Sequence, residues 1–114
     1  MISRHSYIYA IHAPEPEHLE EVKEQMVLLG PPKIEVVDCG DYYMALDGSH
    51  RLAAAHALGI VPELVIWDPE DTIDVSLYDW FEWQAWDNQF VHEAGKVADY
   101  LYSPRDAVPY HFDQ

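Results

Sequence analysis

The sequence predicts an α+β fold: a small mixed sheet with helices, followed by an aromatic-rich helical segment. Three observations carry that expectation. Residues Tyr7 to His12 (YIYAIH) are β-branched and aromatic, as strands are. From Glu17 onward, apolar residues recur at helical steps. Two strand-like runs between Lys33 and Asp47 flank a turn and lead directly into an alanine-rich helix.

Each element follows from local chemistry. Ala13-Pro14-Glu15-Pro16 forbids both helix and sheet pairing and reads as a loop. Leu19, Val22, Met26 and Leu29 then share one helical face, with acids crowding the first turn where the helix dipole favours them. Gly30 and Pro31-Pro32 stop that helix. Lys33 to Asp38 and Tyr42 to Asp47 form a hairpin around Cys39-Gly40-Asp41. Gly48 breaks the strand, and Ser49 to Leu58 is helical with Gly59 at its end. Glu63 to Trp67, after Pro62, reads as a buried strand. Leu77 to Tyr102 reads as helical, in two pieces around Gly95, and is crowded with Tyr78, Trp80, Phe81, Trp83, Trp86 and Phe90. The whole chain, 1–114, is expected to be one domain, with a core at 7–67 and a helical extension at 72–114.

Composition narrows the function. The 114 residues suffice for one core, and 49% are hydrophobic, which argues against disorder. Only 6 residues are Lys or Arg against 21 Asp or Glu, a formal net charge of −15. General affinity for a nucleic acid backbone or an anionic membrane surface is therefore not expected, and neither is direct DNA binding. No apolar run approaches the roughly 20 residues of a spanning helix. Met1-Ile2-Ser3-Arg4-His5 lacks the apolar stretch of a signal peptide, and Cys39, the single cysteine, cannot form an internal disulfide. A cytoplasmic location is the expectation.

The informative segment is Asp47-Gly48-Ser49-His50-Arg51 with the Leu52-Ala53-Ala54-Ala55 that follows. A strand ends at Asp47, Gly48 turns sharply, and a helix opens with free amides near Ser49, His50 and Arg51. Those amides, the helix dipole, a guanidinium and an imidazole would converge on one spot, which describes a phosphate pocket. Ser49 could instead be a plain N-cap. Arg51 tips the balance, because a cation in the first turn opposes the dipole and cations are scarce here. A bound anion explains its position.

These residues resemble the Gly-x-His-Arg motif of the ParB/sulfiredoxin superfamily, especially the ParB-like nuclease domains. The resemblance spans roughly residues 7–67 and includes the loop and helix upstream and the Leu58-Gly59-Ile60-Val61-Pro62-Glu63-Leu64-Val65 segment downstream. It implies a helix N-terminus that holds nucleotide phosphates: CTP in chromosome-partitioning ParB, ATP in sulfiredoxin, and ADP or ATP in free-serine kinases. Carried over by position, Gly48, Ser49, His50 and Arg51 would bind phosphate. Asp47 would act as a catalytic residue and Mg²⁺ ligand. Glu17 would be the general base, with Glu15 as its rival because Pro-Glu-Pro-Glu leaves the alignment ambiguous by two residues. Ser49 stands where sulfiredoxin has its catalytic cysteine, so sulfinic acid reduction is not expected. It also stands where the kinases have a second histidine, which counts against serine phosphorylation.

The implied function is binding of a nucleotide or another phosphorylated small molecule, with ATP-, ADP- or CTP-dependent phosphotransfer or hydrolysis. Two alternatives stay open: a non-catalytic nucleotide-sensing or protein-interaction module, and an acidic inhibitor that imitates nucleic acid. Trp80, Trp83 and Trp86 recur every third residue and would serve as core, as a homo-oligomer contact, or as a platform for a base. The 7 histidines contain no His-x-x-x-His or His-x-x-Glu-His pair, so their spacing does not point to zinc.

Overall fold

The computed structural model describes residues 7–78, 80, 91–102 and 107–112. In chain order the elements are β1 (Tyr7–Ala10), α1 (Pro16–Leu29), β2 (Lys33–Asp38), β3 (Tyr43–Ala45), α2 (Ser49–Leu58), β4 (Glu63–Trp67) and β5 (Thr72–Asp74). A short 3₁₀ turn (Val75–Leu77) follows, then β6 (Val91–Glu93), α3 (Ala94–Leu101) and β7 (Val108–His111). This is an α+β fold with a mixed sheet.

The main sheet has the order β4-β2-β3-β1-β7. β2 and β3 form the expected antiparallel hairpin, with Val37 opposite Met44. β1 runs parallel to β3, and β4 parallel to β2. Side chains alternate across a strand, so the central strands feed two cores. Ile8, Ile34, Val36, Tyr43 and Ala45 face α1 and α2, meeting Met26, Leu52, Ala54 and Ala55. Val37, Met44 and Leu46 lie in the opposite cluster, with Ile73, Val75, Ala94, Val97 and Leu101. The small side chains Ala53, Ala54 and Ala55 are buried, which lets α2 lie close to its neighbours. α2 spans the residues its composition predicts.

Three expectations are corrected. Leu29 does not continue the buried face of α1: it is 82% exposed, and Met26 is the buried residue of that helix. Leu19 and Val22 are partly buried against the core beside it. Periodicity identifies which face of a helix packs, not how far its neighbour extends along it. Second, Glu63 to Trp67 is not a buried strand. β4 pairs only with β2 at the sheet edge, leaving Val65 and Ile66 exposed. A short apolar run does not tell a central strand from an edge strand.

Third, the segment after Asp71 is not simply a helical extension. Thr72–Asp74 pairs antiparallel with Val91–Glu93, and Val108–His111 joins the main sheet against β1. Within Leu77 to Tyr102, helix is seen over Ala94–Leu101, which contains Gly95. Residues 81–90, which hold Trp83 and Trp86, lie outside the described residues. β7 includes Pro109, which an edge strand tolerates because no ladder bond is needed on its open side.

A candidate anion site at the start of α2

The Leu46 amide donates to the Glu35 carbonyl at 2.9 Å, which fixes the chain just after β3. The next residue, Asp47, accepts the Gly48 amide on Oδ1 at 2.7 Å. Gly48 is the N-cap of α2 in the left-handed region, φ 84° and ψ 34°. A Cβ there would lie 2.9 Å from Arg51 Nη2 and 3.0 Å from Ile34 Cδ1. Both the backbone angle and the close approach therefore require glycine.

The first helical bond runs from the Leu52 amide to the Gly48 carbonyl, 2.8 Å. The amides of Ser49, His50 and Arg51 precede it and have no acceptor within the helix. No side chain caps α2, and its first turn holds no acid. Ser49 is a buried first-turn residue and not the N-cap.

Arg51 folds back over this turn. Its Nη1 donates to the Lys33 carbonyl at 3.0 Å. Its Nη2 lies 3.9 Å from Asp47 Oδ2, with the side chains 43% and 57% exposed. An ion pair that long and that wet contributes under about 1 kcal/mol. It orients the guanidinium without neutralising it, and the remaining N–H groups stay available.

His50 is held by its neighbours at the start of α2. Its Nε2 accepts the Glu15 amide at 2.9 Å, so that nitrogen carries a lone pair. The ring stacks on His18, centroids 4.2 Å apart and planes 16° from parallel. The ring of His12 meets it edge-on at 5.8 Å. Burial holds His50 below its ordinary value; His18 and His12 add to this, while Glu15 opposes it. His50 is thus a neutral imidazole that ties the loop before α1 to the first turn of α2.

These elements enclose a cavity of about 660 Å³. Asp47, Gly48, Ser49, His50 and Arg51 line it, so the predicted motif residues come together at one place. Glu15 lines it too, but Glu17 belongs to a neighbouring hollow with His18 and Glu21. His12, His18 and Gln25, which the sequence did not mark as site residues, also line it, as does Trp80, one of the three tryptophans read as a platform for a base. His18 follows Glu15 by three residues, but its pairing with His50 bridges distant parts of the chain.

Trp80 is packed within the molecule. Its Nε1 donates to the Leu46 carbonyl at 2.7 Å, and its ring stacks on Tyr78 at 5.1 Å. Tyr78 donates to Glu35 Oε1 at 2.7 Å, and Trp67 Nε1 reaches the same oxygen at 3.3 Å. Burial, then the bond to Glu35, raises the Tyr78 hydroxyl above its ordinary value, so it remains a donor. This brace holds the indole at the cavity wall beside the α2 turn.

Among the described residues, no helix is long and apolar enough to cross a membrane. Comparison of the chain with protein-family models, curated proteins and solved structures finds no match.

Proposed function

We propose that this protein binds a phosphorylated small molecule, a nucleotide foremost, with a phosphate seated on the first turn of α2. One observation carries the reading: an uncapped, acid-free helix start opens, beside a rare arginine, onto a cavity large enough for such a ligand. The resemblance of Gly48-Ser49-His50-Arg51 to the ParB/sulfiredoxin motif supports the same ligand class.

The residues divide the work by chemistry. The Ser49, His50 and Arg51 amides and the Arg51 guanidinium donate to phosphate oxygens. His50 contributes an N–H and a fixed position, not a charge. The Trp80 indole supplies a flat apolar surface for a base or sugar. Asp47 fits Mg²⁺ only in part, since Oδ1 already accepts the Gly48 amide. The ion would rest mainly on phosphate and water, with Oδ2 as the protein ligand. If phosphoryl transfer occurs, Glu15 on the cavity wall is better placed than Glu17 to accept a proton from the attacking hydroxyl.

Calorimetric titration with Mg-ATP, Mg-ADP and Mg-CTP tests the proposal. One-to-one binding that weakens roughly 10- to 100-fold in Arg51→Ala is expected, the loss of a charge-assisted bond. Absence of heat at millimolar ligand, with the fold intact, overturns it.

A second reading, binding without turnover, is favoured by the internal bonds of Arg51 and His50. Phosphate release measured in Glu15→Gln and Asp47→Asn separates the two. Turnover lost in both variants supports an enzyme; no turnover in the native chain, with nucleotide bound, supports a sensor.

A further inference from the structure

We propose that Glu15, His18 and His50 form a binding site for a late first-row divalent metal ion of the Zn²⁺ type. It does not rest on the nucleotide reading. The Glu15 carboxylate and the two imidazoles present ligand atoms that all lie within 4.8 Å of one another. Two histidines and one carboxylate are a ligand set suited to zinc and unlike the all-oxygen shell that Mg²⁺ takes.

The positions of the three residues support this. Glu15 and His18 stand at the start of α1, and His50 stands in the first turn of α2. The Glu15 amide and the His50 Nε2 already hold the two elements together. Because that amide donates, Nε2 has its lone pair free of a proton, which is the form that ligates a metal. A metal would take that lone pair in place of the amide and join the same two elements through Glu15, His18 and His50.

The two imidazoles lie side by side, centroids 4.2 Å apart. Their nitrogen lone pairs lie in the ring planes, and rotation of the exposed His18 side chain brings them to converge on one ion. His12, its ring centroid 5.8 Å from that of His50, lies outside the three-residue cluster, with Nδ1 bonded to the Ala13 carbonyl. The cavity side of the cluster stays open, leaving a coordination position for water or an anion. The charged groups lining the two hollows beside the cluster are Glu15, Asp47, Arg51, Glu17 and Glu21, so the surroundings are net acidic, which favours a cation.

The test is titration of the chelator-stripped full chain with ZnCl₂ at neutral pH, in excess Mg²⁺ so that surface carboxylates are occupied. One equivalent is expected to bind, and His18→Ala and His50→Ala should each weaken it by at least about tenfold. His92→Ala should leave it unchanged. Glu15→Gln keeps the volume and the backbone bond, and should also weaken binding, so the result does not hang on the foldedness of the His50 variant. Co²⁺ substitution provides a second readout, an absorption band altered in His18→Ala. The proposal is overturned by no binding, by several weak equivalents that Mg²⁺ displaces, or by a single equivalent indifferent to His18→Ala.

Discussion

The backbone amide of Glu15 donates to Nε2 of His50 across 2.9 Å, joining residues 35 positions apart. The bond places the acidic loop before α1 against the start of α2, and so creates the cavity. It also fixes the state of the imidazole, because a nitrogen that accepts an N–H bond carries no proton of its own.

A pH dependence follows. His50 lies below its ordinary value of 6.5 in the fold. Between that value and the lower folded one, the unfolded chain binds a proton that the folded chain does not. Stability therefore falls as pH drops through this window and is fully present above it. The groups facing His50 are His12, His18 and Glu15. Urea denaturation at a series of pH values should show this slope in the native chain and a shallower one in His50→Asn.

Gly48→Ala should destabilise the fold by about 1–3 kcal/mol, through a strained left-handed backbone and a Cβ against Arg51 and Ile34. Gly40 also has a positive φ, 96°, but nothing lies within 4 Å of its Cβ position. Gly40→Ala should cost less, about 1 kcal/mol, from the backbone alone. Thermal unfolding of the pair separates the close approach from the dihedral.

Tyr78→Phe should cost about 1 kcal/mol, since it removes a bond to a half-buried carboxylate while Trp67 still reaches Glu35. It should also loosen the stack on Trp80. Near-ultraviolet circular dichroism reads the second effect, and chemical denaturation the first.

Much of the frame was legible in the sequence, and particular residues show why. Gly48 to Arg51 were readable because a strand, a glycine and an alanine-rich helix are local signals, and the structure brings all of them to one cavity. The hairpin of β2 and β3 was readable for the same reason. The partners of His50 were not, because His12, His18 and Glu15 meet it through the packing of α1 on α2, which no spacing encodes. The edge position of β4 and the return of β7 to the main sheet are likewise long-range pairings. The apolar content of Glu63 to Trp67 identifies a strand and is silent on how many neighbours it has.

The central claim is that the first turn of α2 receives negatively charged oxygens. Amide-resolved NMR during a titration with Mg-ATP reads it most directly. The account predicts saturable shifts concentrated at the Ser49, His50 and Arg51 amides, reproduced in smaller form by inorganic phosphate and lost in Arg51→Ala. Unmoved resonances at these amides, or shifts spread evenly over the surface, contradict it.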